Sequence, residues 1–133
     1  DYHHGNLRDA LVSAAEREVA RTGDVDLSLR DLARALGVSH AAAYRHFESK
    51  LGLQAEVARR GYLALTRALR DARANRRDAA GRVDAAVTAL QSIGLAYVDF
   101  ALEHQGAFRL MFDRALKPFT AHPELATAAG EAF

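Results

Sequence analysis

The chain has 133 residues, half of them hydrophobic, no cysteine, and a formal net charge of only +1. That length is one domain's worth, or one small domain joined to part of another, and it suffices to bury a core. Without cysteine there are no disulfide staples, thiolate metal sites or cysteine nucleophiles, and with no long apolar run or apolar leader the reading is a soluble cytoplasmic protein, not a membrane or secreted one.

The 29 alanines favour helix, and the two prolines, Pro118 and Pro123, both fall late, so an all-α chain is expected. A first helix is predicted from a cap at Asn6 to about Arg21, with Leu7, Leu11, Ala15 and Val19 four apart on one stripe and Gly23 as its stop. Tyr2, His3 and His4 precede it as an arm. Two adjacent histidines lack a third ligand at a defined spacing, so the arm is read as mobile or capping, with no metal.

Two short helical patterns then flank one glycine in SLRDLARALGVSHAAAYRHFESK, Ser28 to Lys50. Ser28 caps the first, with Asp31 placed to complete a capping box, and Leu29, Leu32, Ala33 and Leu36 form its buried stripe. Gly37 supplies the positive φ of a tight corner, Val38 plugs it, and Ser39 caps a second helix whose apolar content is mostly the methyl groups of Ala41, Ala42 and Ala43. A helix this thin can enter a major groove. Its end is more informative than its start. The spacing puts Phe47 in the core of three helices and leaves Tyr44 and Lys50 outside to meet phosphates, Lys50 at a helix N-terminus beside free N–H groups.

After a cap at Ser49, a long helix is predicted from Lys50 to about Ala74, with Leu51, Ala55, Ala58, Tyr62, Leu65 and Leu69 at helical spacing. Its arginines, Arg59, Arg60, Arg67, Arg70, Arg73, Arg76 and Arg77, read as a solvated basic face rather than a second nucleic-acid site. A break is expected at Asn75 to Gly81, with Asp78 as the next cap. A further helical pattern follows through Val83, Val87, Leu90, Gly94, Tyr97 and Ala101 to about Gly106. Ala107, Phe108, Leu110, Met111 and Phe112 then make a compact helix expected to be buried on most sides, and Glu124 to Phe133 begins another after a loop bracketed by the prolines.

Charge is distributed unevenly. Residues 1–50 carry seven basic against eight acidic residues, and residues 51–82 carry eight arginines against three acids. If the first segment binds DNA, the binding must come from charge placed on one face, not from bulk charge.

The stretch resembles the tetracycline-repressor (TetR) family of bacterial transcriptional regulators. The resemblance rests on Leu32-Ala33, Leu36-Gly37-Val38-Ser39, Ala43-Tyr44-Arg45-His46-Phe47-Glu48-Ser49-Lys50 and Leu53, runs from about Leu7 to about Tyr62, and extends to the opening Tyr2-His3-His4-Gly5-Asn6-Leu7-Arg8 of one branch of the family. It implies a three-helix DNA-binding domain at 1–50, linked by the long helix to a helical ligand-binding and dimerisation domain of which 51–133 is a part. The family's C-terminal dimerisation helices are absent, so the chain is expected to be incomplete. By the same resemblance Arg30 contacts a base or phosphate, His40, Ala41 and Ala42 face base edges, Tyr44, His46 and Lys50 hold the backbone, Arg45 does either, and Ser39 belongs to the same DNA-binding set. Ala43 stands where a larger aliphatic residue is frequent. Because Ala41 and Ala42 offer only methyl contacts, specificity leans on Arg30, His40, Arg45 and DNA shape.

For the small-molecule effector implied by the family, the candidates are Tyr97, Phe100, Phe108, Met111 and Phe112, whose low charge favours an apolar or aromatic ligand. No catalytic constellation and no cofactor motif is present: there is no glycine-rich phosphate loop after a strand and no HExxH, and His104 and His122 stand alone. The expectation is a homodimeric repressor of a double-stranded, pseudo-palindromic operator, with no membrane partner. The alternative is a helical ligand-binding or protein-docking module whose helix-turn-helix is only a scaffold.

Overall fold

A computed structural model describes residues 6–74, 84–117 and 119–133. Over these residues the chain is all-helical: α1 (Leu7–Thr22), α2 (Leu29–Ala35), α3 (His40–His46), α4 (Lys50–Ala74), α5 (Asp84–Glu103), α6 (Gln105–Met111) and α7 (Pro123–Ala132), with short 3-10 turns at Arg114–Leu116 and Phe119–Ala121 before α7. None of the described helices is long and apolar enough to cross a membrane.

Local chemistry sets most boundaries. Ser28 Oγ accepts from Asp31 N at 3.2 Å, Ser39 Oγ from Ala42 N at 3.1 Å and Ser49 Oγ from Gly52 N at 3.3 Å, so three serines start α2, α3 and α4. Asn6 makes no such bond at the start of α1. Asp31 does not complete the capping box, because its carboxylate pairs with Arg34 one turn on. The corner between α2 and α3 is made by Gly37 at φ 68°, after which Val38 N donates to Ala33 O at 3.0 Å.

Helix α4 is the spine. It packs against α1 on one side and against α5, α6 and α7 along the rest of its length. Leu53, Val57, Ala58 and Leu65 are fully buried, and one contiguous core runs from Leu11 and Val12 through them to Leu110, Met111 and Leu125. Each large aliphatic side chain so buried contributes about 1.5–3 kcal/mol. The start of α6 presses on the last turn of α1: a Cβ on Gly106 would lie 2.1 Å from Val19 Cγ1 and 2.7 Å from the Val19 carbonyl oxygen. Only glycine permits that approach.

The structure corrects several expectations. Arg59 and Arg60 are not part of a solvated face: Arg59 grips the buried Glu56, and Arg60 reaches Ser13 and Glu16, each at 3.2 Å, and Asp9 at 2.9 Å, fastening α4 to α1. Arg67, Arg70 and Arg73 are exposed, as expected. In α5 the buried face is centred on Ser92 and Phe100, while Val87, Leu90 and Gly94 are exposed, together with Leu95, Val98 and Leu102. The helical spacing was legible there, but both faces are apolar enough to satisfy it. Helix α6 buries Leu110 and Met111 yet leaves Phe112 at its C-cap 40% exposed, because Arg109 gives the helix a polar side. The N-terminal arm, the break at 75–81, Asp78, Arg76, Arg77, Val83 and Pro118 lie outside the described residues.

Candidate nucleic-acid interface

The short helix α3 exposes one continuous face. Ala43 and Phe47 point into the core, at 0% and 4% exposure, and turn Ser39, His40, Ala41, Tyr44, Arg45 and His46 outward. Ala42 is half-buried against the core, so of the three consecutive alanines only Ala41 is fully presented. Arg30 stands exposed on the first turn of α2, and Lys50 is exposed at the first position of α4. The residues selected from sequence for DNA contact thus lie on α2, α3 and the start of α4, with Ala42 the least accessible. Tyr44 is half exposed.

The face is held from behind by polar contacts that periodicity does not predict. Glu56, 5% exposed, accepts from Arg59 Nε at 2.9 Å and Arg59 Nη2 at 2.7 Å, and Arg8 of α1 approaches it at 3.6 Å. Burial alone pushes the Glu56 carboxyl up, but the hydrogen bonds and charge of Arg59, joined by Arg8, outweigh it and hold the group below its ordinary value. Arg8 also lies over the Phe47 ring, 5.0 Å from its centroid, and so bridges the end of α3 to the middle of α4. The sequence reading singled out neither Glu56 nor its partner Arg8, whose contact spans a long stretch of chain.

Gln54, also buried, donates from Nε2 to Val25 O at 2.6 Å, and Lys50 Nζ pairs with Asp26 in the same α1–α2 loop. Lys50 is therefore exposed yet partnered by a carboxylate.

The five aromatic and sulfur candidates for an effector gather where α5 and α6 meet α4. Tyr97 and Phe108 meet edge to face at 5.6 Å between centroids, Phe108 and Phe112 lie 4.9 Å apart, and Tyr62 of α4 joins Phe112 at 6.0 Å. Met111 is fully buried, and its carbonyl accepts from the Tyr62 hydroxyl at 2.6 Å. Burial, and secondarily Tyr97, raises the Tyr62 phenol above its ordinary value. Phe100 is buried beside His104, 4.6 Å between rings. A separate cavity of about 700 Å³ lies between the end of α1, the middle of α4 and the α5–α6 corner, lined by Val19, Val57, Gly61, Phe100, His104 and Ala107 among others. Of the five candidates only Phe100 borders it.

Residues 11–57 match the family described as bacterial regulatory proteins, tetR family. No curated protein matches the chain. Among solved structures, one of a protein of unknown function from Rhodococcus sp. RHA1 is 36% identical, with a TM-score of 0.79, over 98% of this chain and 64% of that one. A second, of a protein described as regulatory, SCO4313, is 25% identical, with a TM-score of 0.70, over 97% of this chain and 58% of that one. The chain thus spans less than two thirds of the length of either.

Proposed function

The chain belongs, by its first helices, to the tetR family of bacterial regulatory proteins, and from that premise we propose that it is a one-component transcriptional repressor that binds a pseudo-palindromic operator as a homodimer and releases it when a small molecule binds. The supporting observation is that the burial of Ala43 and Phe47 leaves Ser39, His40, Ala41, Tyr44, Arg45 and His46 outward on α3, with Arg30 of α2 and Lys50 of α4 also exposed. In this reading residues 1–50 are the DNA-binding domain, and 51–133 are part of a ligand-binding and dimerisation domain in a non-enzymatic, cytoplasmic protein.

Tyr44, His46 and Lys50 take phosphates, and Arg30, His40 and Arg45 read base edges with Ala41, and marginally Ala42, against thymine methyls. In a dimer the two α3 helices reach successive major grooves about 34 Å apart. The effector is apolar or aromatic and sits among Tyr97, Phe100, Phe108, Met111 and Phe112. It favours a conformer in which α4 spaces the two α3 helices wrongly, and DNA affinity falls by as much as the effector's preference for that conformer.

The test is selection of genomic fragments by the full-length protein at low salt, followed by footprinting. Protection of a two-fold symmetric site with half-sites one helical turn apart supports the reading. Retention of no fragment favours the protein-docking alternative.

A further inference from the structure

We propose that Asp26 is a resident counter-ion for Lys50, occupying in the free protein the place of a DNA phosphate and exchanging with it on binding, so that it sets the affinity of the α3–α4 face for nucleic acid. The inference rests on the DNA-binding reading above and adds to it a residue that the α3 face does not contain.

The pairing is built by the loop. Gly23, at φ 69°, ends α1 and returns its N–H to Val19 O at 2.9 Å, while its own carbonyl accepts from Arg109 of α6 at 3.0 Å. Two residues on, the Val25 carbonyl is held by the buried Gln54 of α4 at 2.6 Å. Leu27 is buried at 4% exposure, and Ser28 caps α2. Asp26 lies between these two fixed points, and its N–H is taken by Asp24 Oδ1 at 2.9 Å. The backbone at residue 26 is thereby fixed beside the first turn of α4, and the carboxylate meets Lys50 Nζ.

Both side chains remain largely open to solvent, 72% for Asp26 and 49% for Lys50. A phosphate can therefore reach Lys50 from the α3 side, and the carboxylate can yield without unfolding anything. Chemically the exchange replaces one oxyanion by another on the same ammonium group; no bond is made or broken. Its consequence is a lower intrinsic affinity, because each phosphate contact by Lys50 must first displace Asp26. An exposed pair of this kind is worth up to about fivefold in an equilibrium constant.

The probe is a fluorescein-labelled duplex of mixed sequence, about 30 base pairs long, followed by anisotropy, since phosphate contacts do not depend on sequence. Wild type, Asp26→Asn, Lys50→Ala and the double variant are titrated at several salt concentrations from about 50 mM upward. Asp26→Asn is expected to bind about three- to fivefold more tightly at the lowest salt, with the gain shrinking as salt rises. In the Lys50→Ala background the same substitution should change affinity less than about twofold. An equal gain in both backgrounds overturns the inference, because Asp26 would then act only through overall charge. Weaker binding by Asp26→Asn also overturns it, since the carboxylate would be positioning Lys50 for DNA. Asp26→Ala serves as a second variant, and far-UV circular dichroism checks that each chain is folded. If wild type does not bind the duplex at all, the DNA-binding reading fails and the inference falls with it; if wild type binds and the cycle shows no coupling, only the inference fails.

Discussion

Helices α1 to α3 and helix α5 treat apolar side chains in opposite ways. In the first three helices every large hydrophobic residue but Tyr44 is buried or half-buried, whereas α5 leaves Val87, Leu90, Leu95, Val98 and Leu102 in solvent while burying Phe100 on its other side. The first arrangement is a closed core with a polar exterior. The second is the pattern of a helix made to be covered on both faces, of which the described chain covers one. The hydrophobic period therefore locates α5 without saying which of its faces meets α4.

Substitutions can sharpen this contrast. The largest effect is expected where the two halves touch most closely. Gly106→Ala forces a methyl group onto the Val19 side chain and its backbone carbonyl, and should cost about 3 kcal/mol of unfolding free energy in urea titrations. An effect under about 1 kcal/mol would show that α6 does not press on α1 as described.

Next comes Glu56→Gln, which leaves Arg59 and Arg8 without their shared carboxylate, at about 2 kcal/mol at neutral pH. The same group predicts an acid limb. Its folded value lies below the ordinary 4.5, so its contribution is fully present above pH 4.5 and is lost as pH falls through the lower, folded value. Thermal midpoints of wild type and Glu56→Gln should converge across that window. If they run parallel down through it, the Arg59 and Arg8 contacts do not hold the carboxyl.

Tyr62→Phe removes the hydroxyl that donates to the Met111 carbonyl, and about 1 kcal/mol is expected. Smallest of all is Leu95→Ser on the open side of α5: less than about 0.5 kcal/mol in this chain, with reduced self-association in sedimentation. A loss near that of a core leucine would mean that the stripe is covered after all.

How far the sequence carried the reading depended on whether a feature was local. The start of α4 at Lys50, the turn at Gly37 and the serine caps of α2, α3 and α4 follow from single residues at fixed offsets, and all were legible. The inward Phe47 and the outward Tyr44 were legible too, from the spacing at the end of α3. The clamps were not. Arg60 meets partners on α1 forty-four or more positions away, and Gln54 meets Val25 across the loop, contacts that no period or spacing encodes. Lys50 shows the same division. Its exposure and place at a helix start were read correctly, whereas its carboxylate partner Asp26 came only from the way the α1–α2 loop is pinned.

In the proposed function, charge placement on the α3–α4 face, not bulk charge, carries the affinity for DNA. Lys50→Ala and Arg70→Ala each remove one exposed cation from α4, one at its start and one near its end. Titrating both against duplex DNA over a range of salt tests the claim directly. Placement predicts that Lys50→Ala lowers the slope of log K against log salt by about one while Arg70→Ala leaves it unchanged; equal slopes for the two variants would contradict it.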